Sequence, residues 1–71
     1  MPAANLWIER ELRVLDVFEK VSRPMSLEEI GAETNLGYAV RYPVQRLADA
    51  DVLRKFRVHR ETKFELIPVA F

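Results

Sequence analysis

The chain has 71 residues, 49% of them apolar and 31% charged, with eleven basic and eleven acidic side chains. That is enough for one small soluble globular domain and too polar for a membrane protein. With no cysteine and a single histidine, His59, disulfides, thiolate metal sites, a cysteine nucleophile and a two-imidazole acid–base pair are all excluded.

The first element is expected over residues 6–21. Asn5 stands as its N-cap, and Ile8, Leu12, Leu15, Phe18 and Val21 recur at spacings of three and four to form an apolar stripe. Glu9, Arg10, Arg13, Asp16, Glu19 and Lys20 fill the remaining surface. Ser22-Arg23-Pro24 stops the helix, because proline pushes the residue before it out of helical geometry. Met25 then occupies a short extended piece.

Ser26-Leu27-Glu28-Glu29 has the form of a capping box, in which serine and the glutamate three residues later satisfy each other's backbone amides. It starts a second helix over 27–34, with Leu27 and Ile30 inward. Asn35-Leu36-Gly37 is turn chemistry, with glycine free to take positive φ.

A third helix is expected over about 39–50, with Val40, Val44 and Leu47 buried and Arg41, Tyr42, Gln45, Arg46 and Asp49 turned away. Pro43 is its awkward residue, since a proline inside a helix costs about 3 kcal/mol. Either the helix starts near Ala39 and kinks after its first turn, or Pro43 occupies its first position.

Beyond Asp51 the period changes to two. Leu53, Phe56 and Val58 alternate imperfectly with Arg54, Lys55 and Arg57, and Phe64 and Leu66 alternate with Lys63 and Glu65. His59-Arg60-Glu61-Thr62 is the polar turn between them. The pattern predicts a β-hairpin over about 53–67, ended by Pro68. The fold class is α+β: three helices and a C-terminal hairpin. Its expected core is Leu12, Leu15, Phe18, Leu27, Ile30, Val40, Val44, Leu47, Leu53, Phe56 and Phe64.

Helix, tight turn, helix and basic hairpin is the layout of a winged helix-turn-helix. Arg13-Val14-Leu15-Asp16-Val17-Phe18 followed by Arg23-Pro24-Met25-Ser26-Leu27-Glu28-Glu29-Ile30-Gly31 resembles the N-terminal DNA-binding domain of IclR-type bacterial regulators. MarR-type regulators share much of the pattern, and the resemblance covers about residues 10–67. Three positions depart from it. Gly31 stands where alanine is usual, Asp51 replaces the glycine that normally follows the third helix, and Pro43 falls inside the recognition helix. Gly31 still permits close packing of two helices, and aspartate tolerates left-handed geometry better than most residues. The large effector domain of IclR-type regulators has no counterpart in these 71 residues.

The charge distribution is polarised. Residues 1–37 carry a net charge of −3, from Arg10, Arg13, Lys20 and Arg23 against Glu9, Glu11, Asp16, Glu19, Glu28, Glu29 and Glu33. Residues 38–63 carry +4, from Arg41, Arg46, Arg54, Lys55, Arg57, Arg60 and Lys63 against Asp49, Asp51 and Glu61. Such asymmetry points to an anionic partner, and the resemblance makes that partner double-stranded DNA.

Candidate base readers and helix contacts are Tyr38, Arg41, Tyr42, Gln45 and Arg46; Tyr38 would either meet a phosphate at the helix start or pack against the second helix. Arg54, Lys55, Arg57, Arg60 and Lys63 on the hairpin suit phosphates. The competing reading of both sets is an ordinary solvated surface, and of the hairpin cations an edge strand protected against aggregation. His59 is read as a plain turn residue.

Leu6, Trp7 and Phe71, apolar residues near the two ends, suggest the contact of a homodimer, with a tryptophan folded over the C-terminal residues as the alternative. No catalytic constellation, cofactor motif or metal-ligand set is visible, and no apolar run is long enough to span a membrane. A cytoplasmic DNA-binding regulator is the leading expectation. A winged-helix module for protein–protein contact, without DNA, is the alternative, favoured by zero net charge and Pro43.

Overall fold

The structure is a computed structural model describing residues 3–68, with side chains described from Ile8 onwards. Its elements are α1 (Ala3–Val21), α2 (Leu27–Thr34), a 3-10 turn (Gly37–Val40), α3 (Arg41–Asp49), β1 (Leu53–Val58) and β2 (Glu61–Leu66). This is the expected α+β layout, three helices followed by a hairpin wing.

Local chemistry sets each junction. The capping box at Ser26 is complete: the Glu29 amide donates to Ser26 Oγ at 3.2 Å and the Ser26 amide to Glu29 Oε1 at 3.0 Å. Asn35 ends α2 in left-handed geometry (φ 65°), and buried Thr34 closes the same turn by donating Oγ1–H to the Ile30 carbonyl at 2.7 Å. Asp51 takes left-handed geometry at φ 62°, which aspartate tolerates better than most residues. Its amide donates to the Ala48 carbonyl and the Val52 amide to that of Leu47. Together these two bonds make a Schellman ending for α3.

Pro43 follows neither of the two expected placements. The 3-10 turn delivers the chain into α3, and Pro43 is the third residue of the α-helix. Its missing N–H is one of the four that a helix start leaves unpaired, so the usual loss of a hydrogen bond does not arise. The ring is fully buried and contributes to the core.

The hairpin is antiparallel and regular, with Leu53 opposite Leu66, Lys55 opposite Phe64 and Val58 opposite Glu61. Met25 adds a third, one-residue strand on the far side of β2, exchanging both backbone hydrogen bonds with Phe64 at 2.8 and 2.9 Å. Cross-strand partners share a face. Leu53, Lys55, Arg57, Thr62, Phe64 and Leu66 therefore lie on the helix-facing side. Arg54, Phe56, Val58, Glu61, Lys63 and Glu65 lie on the outer one.

The core consists of Val14, Val17, Phe18, Met25, Ile30, Val40, Val44, Leu47, Leu53 and Phe64. Four expected members need correction. Leu12 is 60% exposed and Ile8 52%, because the apolar arc of α1 is wider than the core it covers. At 100° per residue the apolar positions from Val17 round to Leu12 span about 220°. The body covers the part bearing Val14, Val17, Phe18 and Val21, and Leu15 is only half-buried at its margin. Leu27, the first residue of α2, is partly exposed. Phe56 is half-buried on the outer sheet face, where Arg54 lies 5.1 Å above its ring. The unbroken register put it there: the irregular Leu53–Phe56 spacing reflects a change of face and no bulge.

Gly31 makes a closer contact than helix-to-helix packing. A Cβ at this position would stand 2.6 Å from the carbonyl oxygen of Gly37. Gly31 therefore sets the distance between α2 and the turn that launches α3.

Candidate nucleic-acid interface

The buried stripe of α3, Pro43, Val44 and Leu47, fixes what the helix presents outward. Arg41, Tyr42, Gln45, Arg46 and Asp49 are exposed, and Tyr38 precedes them on the 3-10 turn at 81% exposure. Three of these form one cluster. The Arg41 guanidinium lies 4.8 Å from the centre of the Tyr38 ring and 5.6 Å from that of Tyr42, and Arg41 Nη1 donates to the Tyr38 hydroxyl. Cation–π contact and hydrogen bond together hold an otherwise flexible side chain in one place. A turn further on, Gln45 Nε2 donates to Asp49 Oδ1 at 2.9 Å.

Arg46 is differently placed. It lies at the edge of this face and forms an ion pair with Glu11 of α1. The pair ties α3 to α1 across the acidic and basic halves of the chain. Base reading by Arg46 requires that pair to open.

A groove of about 880 Å³ runs between α2 and the start of α3. Leu27 and Glu28 form one wall, and Tyr38, Arg41, Tyr42 and Gln45 the other, with Val44 and Phe64 below. Lys55 is the cross-strand partner of Phe64, so the helix-facing side of the wing continues from this groove.

The five hairpin cations divide by sheet face. On the outer face Arg54 is paired with Glu65, and Lys63 lies 3.4 Å from Glu61 and 3.8 Å from Glu29. On the inner face Lys55 and Arg57 are exposed and, among the described residues, have no carboxylate partner. Arg60 sits at the tip. There His59 (φ 49°) and Arg60 (φ 68°) form a two-residue turn with both φ values positive, the type I′ geometry that favours Asn-Gly. The turn is thus shorter than the four-residue one expected, with Glu61 and Thr62 inside β2. Arg57 Nη2 donates to the Arg60 carbonyl at 3.2 Å and braces it. Sequence patterning marked all five cations alike; only the sheet register separates the paired from the unpaired.

Glu29 joins three elements: it caps α2, accepts from Arg23 Nη1 at 2.9 Å, and faces Lys63 of β2. The Ser26 amide, and then Arg23, hold its carboxyl below the ordinary value of 4.5. A carboxylate with a depressed folded pKa adds stability above its unfolded value, and loses it as pH falls through the folded one. Glu29→Gln preserves the capping geometry and removes the charge. The variant is therefore expected to melt below wild type at neutral pH, with the gap closing as pH falls below the ordinary value of 4.5 and through the lowered folded one. Thermal melts across that range measure it, and a gap that stays constant would refute the assignment.

The side chains of Leu6 and Trp7, and the whole of Phe71, lie outside the described residues. Among the described residues no helix is long and apolar enough to cross a membrane. No family model, curated protein or solved structure matches this chain.

Proposed function

We propose that this chain binds double-stranded DNA as a small transcriptional regulator, with α3 in the major groove and the wing on the phosphate backbone. The observation that carries the reading is the side shared by the α3 cluster and the wing's unpaired cations. Arg41 and Gln45 line the same groove as Phe64, and Lys55 and Arg57 lie on the sheet face of Phe64. Donors for base edges and cations for phosphates thus lie on one side of the molecule. The winged-helix layout and the resemblance to IclR-type and MarR-type regulators support the same assignment. Arg41 and Gln45 read bases, joined by Arg46 once it leaves Glu11. Lys55, Arg57 and Arg60 hold phosphates, whereas Arg54 and Lys63 serve the fold.

The regulator works as a homodimer in the cytoplasm. Ile8 and Leu12 leave apolar surface on the outside of α1, on the helix that also carries Leu6 and Trp7. A two-fold dimer would place two α3 helices on the half-sites of a palindrome.

The test is binding to labelled duplex DNA across a salt series. Affinity is expected to fall steeply between about 50 and 200 mM salt, as release of counterions requires. Absence of binding at the low end would overturn the assignment. The second reading would then stand: a protein-binding module using the groove, whose Tyr38, Tyr42 and Arg41 have the composition of a protein hot spot.

A further inference from the structure

We propose that Asp49 and Tyr38 are positioning residues for two base readers, Gln45 and Arg41, and that the half-site therefore holds an adenine and a guanine about two base steps apart. This rests on the DNA-binding reading of α3.

As an i,i+4 partner of Gln45, Asp49 adds only a little to the stability of the helix. It lies in the last turn of α3, where the helix dipole disfavours a carboxylate, and on a face meant to approach phosphates. Its hydrogen bond is to Gln45 Nε2. An ionised carboxylate only accepts, so it dictates which end of the glutamine amide is nitrogen. One N–H of Gln45 is used by Asp49. The second N–H and Oε1 remain, and they are the donor–acceptor pair that matches N7 and the N6 amino group of adenine.

Tyr38 does the equivalent for Arg41. Its hydroxyl takes Nη1, and its ring and that of Tyr42 flank the guanidinium. The Nε–Nη2 edge stays available for the O6 and N7 acceptors of guanine. Residues 41 and 45 are separated by about 6 Å along the helix axis, while bases stack about 3.4 Å apart. The pair is therefore spaced for bases about two steps apart.

Selection of duplexes from a random pool with the full chain tests this. The wild-type pool is expected to enrich adenine and guanine about two steps apart. Asp49→Ala should bind all duplexes somewhat more tightly, because a negative charge is gone. It should also lose about tenfold of its discrimination at the adenine and none at the guanine. Tyr38→Phe should do the reverse, weakening the guanine preference alone. In a Gln45→Ala background, Asp49→Ala should change affinity but leave base preference where it was.

Charge alone acts on every sequence equally, so an Asp49→Ala variant with unaltered adenine preference overturns the proposal. So does an identical shift in base preference with and without Gln45. If wild type enriches no sequence yet binds duplexes in a salt-dependent way, the positioning fails while the DNA reading survives. If it binds no duplex at low salt, both fall.

Discussion

Gly31→Ala is expected to destabilise the protein by about 2 kcal/mol and to lower its thermal midpoint by about 10 °C. On propensity alone the change would help, since alanine is favoured over glycine in a helix by up to about 1 kcal/mol. Sterics decide against it. The new Cβ would fall 2.6 Å from the Gly37 carbonyl oxygen and 3.1 Å from its carbon. The obstacle is backbone, which cannot rotate aside like a side chain, so α2 and the 3-10 turn must separate. For a chain of this size the total is only about 4–10 kcal/mol. The loss is a large share of it. Gly37→Ala supplies the comparison: there a Cβ meets open space, and the cost is confined to a positive φ of 61°. Denaturant midpoints should rank wild type above Gly37→Ala and Gly37→Ala above Gly31→Ala. The opposite order for the two variants would show that the close approach relaxes.

Punctuation was the most legible part of this sequence past the start of α1, which begins at Ala3 and so takes Asn5 inside the helix instead of leaving it as the cap of a helix from residue 6. The capping box at Ser26, the stop at Ser22-Arg23-Pro24 and the turn at Asn35-Leu36-Gly37 each rest on short-range chemistry, and each is found where the residues place it. Asp51 at φ 62° shows the same for a departure from the usual glycine. What the sequence left open was the phase of an element against its neighbours. Helix α1 has apolar residues over more than half of its circumference, and only tertiary packing decides that Val14 and Val17 go inside and Leu12 outside. Met25 is a lone residue with no period to mark it, yet it is fully buried and completes the sheet beside Phe64. Pro43 read as a defect because the 3-10 turn before it is invisible to helical periodicity.

The candidate interface divides along the same line. Exposure of Arg41, Tyr42 and Gln45 follows from the buried stripe of α3, which periodicity gives directly. Their partners do not. Glu11 is 35 residues from Arg46, and Glu65 is eleven from Arg54. Such pairs depend on the register of the hairpin and on the angle between α1 and α3. The charge count of the wing is therefore a poor guide to its electrostatics.

Replacing Lys55, Arg57 and Arg60 together by alanine should lower the slope of log affinity against log salt by about 2–3 units, at roughly 0.9 per phosphate contact. The loss should be equal for specific and scrambled duplexes, because phosphates carry no sequence. Replacing Arg54 and Lys63 should change the slope by less than about one unit, since carboxylates already hold them. Their loss should appear instead as a lower melting point. The wing tip sharpens the contrast. Non-glycine residues in left-handed geometry cost up to about 1–2 kcal/mol each, so His59-Arg60→Asn-Gly should stabilise the hairpin by about 1 kcal/mol. The same double change removes a phosphate contact and should reduce the salt slope by about one unit. A tighter fold with weaker DNA binding would mean that the tip keeps its strained arginine for the nucleic acid. Equal reductions for the Lys55/Arg57/Arg60 and Arg54/Lys63 variants would mean that ion pairing does not divide the wing's cations, and slopes unchanged from wild type in both would mean that the wing has no binding face at all.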